Sequence, residues 1–392
     1  MTGPLSALRA PLIHDGAEWH RDAAVVMQGG TIRAVASPSD IPAGTAVQDL
    51  GGGMLVPGYV DLQVNGGDGL MLNDAPEPKT LRRMAQAHAR LGATSILPTL
   101  ITDTPEVTAA AVAAVCAAVA ESVPGIIGLH LEGPHLDPRR KGAHDPALIR
   151  PMQRQDLDAL LAAAHALPVL MVTLAPEAAD HGQIAALTRA GAVVSLGHTD
   201  ADFATCRAAF DAGARCVTHL FNAMRQLGNR EPGVVGAALA DGRVSAGLIA
   251  DGIHVHPAAM GAGLRAKAGP GDVFLVSDAM AVAGTDLDGF TLNGRRIGRR
   301  DGRLTLADGT LAGADLDLTT ALRVLCRDVG LPLGHALRMA TAVPARVAGR
   351  GGHIGALVPG ARADLVHLVD AADGAGPVLA GVWRGGAPVR RD

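Results

Sequence analysis

Four residues far apart in this chain could do metal-assisted chemistry together: Glu132, His198, His219 and Asp278. Each sits at or just past the end of a short apolar run. The run 126–131 is halted by Gly133-Pro134, which leaves Glu132 at its tip. Later runs lead to Gly197-His198, to Thr218-His219 and to Ser277-Asp278. One carboxylate oxygen and two imidazole nitrogens form a donor set that suits Zn2+ and leaves a position for water, and Fe2+, Mn2+ or Co2+ could occupy the same donors. Beside such a metal, Asp278 could accept a proton from the activated water. The competing reading of Asp278 is an N-cap for Ala279-Met280-Ala281. The spacing is no short-range motif, so the chemistry depends on a fold that gathers these tips.

The chain between its two ends offers such a fold. Apolar runs at 59–64, 93–99, 126–131, 169–174, 192–196, 215–218, 245–249 and 273–276 alternate with Ala/Leu-rich helical patterns at 80–91, 104–122, 156–166, 178–190, 202–212 and 316–329. This is the α/β pattern of a (β/α)8 TIM-like barrel, in which strand tips converge on one mouth. An open doubly wound sheet is the alternative, but no Gly-x-Gly-x-x-Gly follows the first strand. Asp61, Gln63 and Asn65 alternate along the first run and point one way. The fourth run leads to Glu177, and the seventh to Asp251-Gly252-Ile253-His254. Both ends of the chain look like short strands, with a Gly29-Gly30 hairpin near the start and runs at 363–369 and 377–383 near the finish. The expected organisation is a small β-sandwich domain from 1–55 and 355–392, and a catalytic barrel over 56–354.

Composition narrows the function. Aromatics are 2% of the chain and the formal net charge is −4, so neither a base-stacking platform nor a basic nucleic-acid footprint is present. The Ala-rich stretch 107–120 is too short to cross a bilayer, so no membrane partner is expected. Cys116, Cys206, Cys216 and Cys326 form no C-x-x-C pair. With no secretory pattern in residues 1–10, they point to a reducing, cytoplasmic setting.

The motifs Pro57-Gly58-Tyr59-Val60-Asp61, His130-Leu131-Glu132-Gly133-Pro134, Lys141-Gly142-Ala143-His144, Gly197-His198-Thr199, Thr218-His219-Leu220-Phe221-Asn222-Ala223-Met224, Ala250-Asp251-Gly252-Ile253-His254, Val276-Ser277-Asp278 and Leu311-Ala312-Gly313 resemble the amidohydrolase superfamily. Within it they resemble the N-acetylglucosamine-6-phosphate deacetylases. The resemblance covers nearly the whole chain. It implies hydrolysis of the acetamide of a phosphorylated N-acetyl amino sugar, with Glu132, His198 and His219 holding one divalent metal. Asp278 would be the acid/base and His254 the polariser of the acetyl carbonyl. Ala143, His144, Asn222, Ala223, Arg230, Asp251, His254, Leu311, Ala312 and Gly313 would bind substrate. It further implies a homodimer in which Arg230 and His254 reach the neighbouring active site.

One departure bears on metal count. Many superfamily barrels open with His-x-His, which holds a second metal. Here Gln63-Val64-Asn65 stands in its place, a vestigial second-metal position with poor zinc ligands. None of the three lysines, Lys79, Lys141 and Lys267, falls in the fourth run, so a carboxylated bridging lysine has no candidate. Two other readings stay open: a deacetylase for an isomer such as N-acetylgalactosamine 6-phosphate, and a non-catalytic scaffold on the same barrel.

Overall fold

The computed structural model describes residues 3–371, 374 and 376–390. At its centre eight parallel strands pair in chain order: Tyr59–Val64, Ala93–Ile101, Leu129–Glu132, Leu170–Leu174, Val193–Leu196, Cys216–Val217, Ser245–Leu248 and Val273–Leu275. Only Val193 among their residues is not fully buried. Strands covered on both faces read as unbroken apolar runs, which is why the sequence pattern locates them. The ring is drawn together by a Val64–Ala279 bridge and by the Asp278 N–H donating to the Gln63 carbonyl at 3.1 Å. Asp61 serves this seam as well. Its buried carboxylate accepts the Ser277 N–H at 3.2 Å, and burial pushes its pKa up to about 7.

Helices cross between the strands, and side-chain caps fix where several begin. Thr104, Asp180, Asp202 and Asp317 each accept the backbone N–H three residues on. Each such cap contributes about 1 kcal/mol. The Ala-rich stretch forms the helix Pro105–Ala120, with Ala111, Ala114, Val115 and Ala118 turned into the barrel core. No helix of the described residues is long and apolar enough to cross a membrane.

Strands from both ends of the chain build a second sheet. Leu5–His14 pairs with Trp19–Gln28 along one edge. Its other edge is shared between Ala46–Asp49 and Met54–Pro57. Met54–Pro57 in turn pairs with Leu365–Asp370, which leads on to Pro377–Arg384. The sheet divides there, and its two arms close over one core in which Leu8, Ile13, Val25 and Ile32 meet Leu55, Leu365 and Trp383.

One element has no counterpart in the sequence expectations. After the eighth barrel strand the chain makes a four-stranded antiparallel sheet, Gly289–Leu292, Arg295–Arg300, Arg303–Thr305 and Leu311–Ala314, before the helix Leu318–Val324. Phe290, Leu292, Ile297 and Leu304 give it a core of its own. Its signal was the turn dipeptides. Asn293-Gly294 and Asp301-Gly302 both lie in the left-handed region, as the tight turns of hairpins require.

Candidate active site

The barrel tips meet as the alternation requires. Glu132 is the last residue of the third strand, His198 and His219 lie two residues past the fifth and sixth, and Asp278 lies three past the eighth. His198, His219 and Asp278 have φ of 48°, 29° and 50°. A left-handed non-glycine residue costs roughly 1–3 kcal/mol, and such strain concentrates at functional sites. It turns each side chain off its strand toward the common axis. Asp278 begins no helix, so the N-cap reading falls away. Gly197 makes room for this packing, because a Cβ there would lie 2.7 Å from Thr173 Cγ2.

Glu132 Oε1 lies 3.2 Å from His198 Nε2 and 3.0 Å from His219 Nε2, and the two nitrogens are 3.1 Å apart. All three residues are buried. His198 Nδ1 donates to the Arg140 carbonyl at 2.8 Å, since a carbonyl oxygen can only accept. A neutral His198 therefore turns its Nε2 lone pair toward the carboxylate and the other imidazole. Such a convergence needs positive charge among its members, from protons or from a cation. Accordingly, burial would raise the Glu132 pKa, but the bonds and charges of His198 and His219 hold it well below the usual carboxylate range. Glu132 in turn raises the His219 pKa against burial. The donor set fits a divalent metal ion, and the Arg140 bond fixes the His198 ring in the ligating tautomer. Beneath it, buried His130 donates to the Leu62 carbonyl at 3.0 Å and joins the hydroxyls of Thr173, Thr218 and Ser195.

Gln63 and Asn65, expected from the sequence to mark a vestigial second-metal position, act as hydrogen-bond donors. Gln63 Nε2 reaches both Glu132 oxygens at 3.1 and 3.2 Å and Asp278 Oδ1 at 3.2 Å. Asn65 Nδ2 reaches the same Asp278 oxygen at 2.7 Å. Burial, then the Glu132 charge, pushes the Asp278 pKa up to about 6, with His219 and the Asn65 bond opposing.

A cavity of about 370 Å³ opens above these groups. Its wall includes Glu132, His198, His219, Asp278, His254, Ala143, His144, Asn222, Ala223, Leu311 and Gly313, all anticipated from the sequence. The hairpin sheet supplies Thr310, Leu311 and Gly313. Arg139, Arg140, Ile101, Ile249 and Met280 also line it and were not anticipated as site residues. The Pro138–Arg140 turn carries the two arginines, and Arg140 is fixed by Asp200 at 2.6 Å, which Arg225 shares at 2.9 Å. Their signal was the basic loop directly after Glu132.

Two ring orientations can be deduced. The Thr102 N–H donates to His144 Nδ1 at 3.3 Å, so His144 carries its proton on Nε2. Burial, then His198, pushes its pKa down to about 3, so it offers a neutral donor. His254 Nδ1 faces Asp251 Oδ2 at 2.6 Å, and the other Asp251 oxygen accepts the N–H groups of Ile253 and His254 at 2.8 Å each. Nδ1–H is thus committed, and His254 can donate from Nε2 only as an imidazolium, whose charge Asp251 would support.

Three expected substrate-binding residues are not on the wall. Asp251 stands behind His254 and orients it, Ala312 points into the hairpin core, and Arg230 is exposed on the loop after Gln226. The Asp251-Gly252 turn places His254 on the cavity wall of its own chain.

The model of the amidohydrolase family matches residues 54–389, which takes in the whole barrel. The chain belongs to the amidohydrolase family. As an amidohydrolase it is a metal-dependent hydrolase of amide C–N bonds. It is 44% identical over 318 residues to the N-acetylgalactosamine-6-phosphate deacetylase of Shewanella sp. (strain ANA-3), covering 81% of this chain and 80% of that one. It is 34% identical over 368 residues to the N-acetylglucosamine-6-phosphate deacetylase of Haemophilus influenzae, covering 93% and 95%. Among solved structures, the N-acetylglucosamine-6-phosphate deacetylase from Pasteurella multocida superposes with a TM-score of 0.92 at 31% identity, over 98% of this chain and 99% of that one.

Proposed function

We propose that this amidohydrolase removes acetate from N-acetyl-D-glucosamine 6-phosphate, giving D-glucosamine 6-phosphate, in amino-sugar catabolism or recycling. The observation that carries the reading is the Glu132/His198/His219 cluster with Asp278 beside it, linked through one Gln63 amide. A divalent cation held by Glu132, His198 and His219, Zn2+ in first place with Fe2+, Mn2+ and Co2+ as alternatives, would polarise the amide carbonyl and acidify the attacking water.

The chain's own residues account for the proton. Asp278, with its pKa pushed up to about 6, is ionised near neutral pH and basic enough to take a proton from water. It then returns that proton to the departing amine nitrogen. His254, held by Asp251, stabilises the charge that gathers on the carbonyl oxygen. His144 donates Nε2–H to a sugar oxygen, and Asn222, Ala223, Ala143, Leu311 and Gly313 complete the contact surface. Gln63 and Asn65 leave room for one metal per chain.

A second reading has its own support. The Shewanella relative, at 44% identity, is a galactosamine-type enzyme. The same metal and base would serve N-acetylgalactosamine 6-phosphate, whose one hydroxyl differs in orientation at a wall that does no chemistry. The reading also includes a homodimer. Leu227 is 59% exposed on the loop that carries exposed Arg230, and an apolar side chain beside a cation there suits contact with a second copy.

The experiment is acetate release from both epimeric substrates with metal counted in the same preparation. Preferred turnover of the gluco substrate with one metal per chain is expected. Preference for the galacto epimer would replace the substrate and keep the mechanism, and no turnover of either by metal-loaded protein would refute the reading.

A further inference from the structure

A second cleft, of about 690 Å³, lies where the barrel meets the small sheet. Ile126 is on its wall, six residues before Glu132 on the way up the third strand. At about 3.3 Å per extended residue this puts the cleft roughly 20 Å from the catalytic carboxylate. The two cavities share no lining residue among the described ones.

The wall of this cleft is cationic. Arg350, Arg362, Arg384 and His353 line it, and among the described residues no Asp or Glu does. Arg362 is paired with Asp364 and also donates to Ser95 Oγ at 2.6 Å. Arg384 is partly buried, yet among the described residues its guanidinium donates only to neutral oxygens, the Ala85 carbonyl at 3.1 Å and Gln86 Oε1 at 3.2 Å. The Arg350 side chain has no hydrogen bond or ion pair among the described residues. Backbone bonds tie two of these groups into one turn: the Arg362 N–H donates to the His353 carbonyl at 2.9 Å, and the His353 N–H to the Arg350 carbonyl at 3.0 Å.

This arrangement is costly without a ligand. Removing a guanidinium from water is unfavourable unless an anion faces it. Burial lowers the Arg384 pKa, and the nearby Arg362 charge adds to that against the pull of Asp364. With Asp364 offsetting Arg362, two positive charges remain, Arg350 and Arg384. That matches the charge of a phosphate dianion, and guanidinium forks pair with phosphate oxygens two at a time. The volume exceeds what a bare ion fills and lies within the range of small-molecule sites.

We propose that the cleft is a second ligand site, which takes a small molecule through its phosphate group. Bound there, the phosphate would join the Arg350–Arg362 turn and Arg384 of the small sheet to the segment that begins the third barrel strand.

The test is calorimetric titration at constant ionic strength with inorganic phosphate and with adenosine 5′-monophosphate, on the native protein and on Arg350→Gln. Because Arg350 has no structural partner, this variant should fold and turn over substrate as the native protein does. The native protein should bind one more phosphate group per chain than the variant, or bind it about tenfold more tightly. Arg350→Lys, which keeps the charge and loses the fork, should fall between them. If the nucleotide outbinds free phosphate at the site lost in the variant, the ligand is a phosphate ester; if the two bind equally, the phosphate alone is recognised. Equal stoichiometry and affinity in native and variant proteins for both probes would overturn the proposal.

Discussion

Asn65 donates its side-chain amide to Asp278 at 2.7 Å, at the position expected from the sequence to be a vestigial second-metal site. The amide does for the carboxylate part of what a cation would do: it stabilises the ionised form. Asn65→Ala removes that support from a buried charge. A charged hydrogen bond contributes on the order of 1.5–3 kcal/mol, so turnover should fall about 10- to 100-fold while the bound metal stays at one per chain. A variant that loses metal in step with activity would show that Asn65 acts on the cation instead.

Asp278→Asn keeps the shape of the site and removes the proton acceptor. Turnover should drop by about 10²- to 10⁴-fold, the usual contribution of general acid–base catalysis, with metal content unchanged. Near-native activity would rule out Asp278 as the base.

Chelation should do more than stop the reaction. The three donors of Glu132, His198 and His219 face one another within 3.2 Å, an arrangement that a cation relieves. The chelated protein should therefore melt at a lower temperature and recover both stability and turnover when Zn2+ is restored. His219→Ala should show neither recovery, as followed by calorimetry and metal analysis.

Thr102→Val tests the orientation of His144. The hydroxyl lies 2.7 Å from His144 Nδ1 and its loss frees the ring to rotate. KM should rise several-fold with kcat much less affected, because the role proposed for His144 is to bind sugar and not to move a proton. A loss confined to kcat would contradict that division.

Far from the mouth, Asp241 sets a pH dependence of stability. Its buried carboxylate accepts Arg243 at 2.7 and 3.0 Å and lies 3.1 Å from Arg207. The Arg243 bonds lower its pKa from 3.8 to about 2, against burial. The folded state therefore favours the ionised form, a stabilisation fully present above 3.8 and lost as pH falls through about 2. Asp241→Asn should melt roughly 2–4 °C below the native protein at pH 7, and the gap should close toward pH 2. A gap that does not change with pH would mark a packing defect.

The barrel and the Glu132/His198/His219 cluster were legible because their signals are local. Strands buried on both faces are apolar throughout, and a lone Glu or His at the end of such a run stands out. The hairpin sheet was passed over because its arginines, Arg295, Arg296, Arg299, Arg300 and Arg303, hide the alternation of Ile297 and Leu304, although its turn dipeptides were plain. Asp251 looked like a wall residue because the chain order cannot tell a side chain that touches a ligand from one that holds its neighbour. Arg139 and Arg140 were not anticipated because their partner, Asp200, comes from a distant loop.

The hairpin sheet has its own apolar centre and meets the barrel at the rim, where Thr310, Leu311 and Gly313 share the cavity wall with Glu132, His198 and His219. Neither Asp278 nor His254 belongs to it. A lineage could therefore retailor these hairpins, in length or in side chains, and acquire a different sugar preference while inheriting the reaction intact.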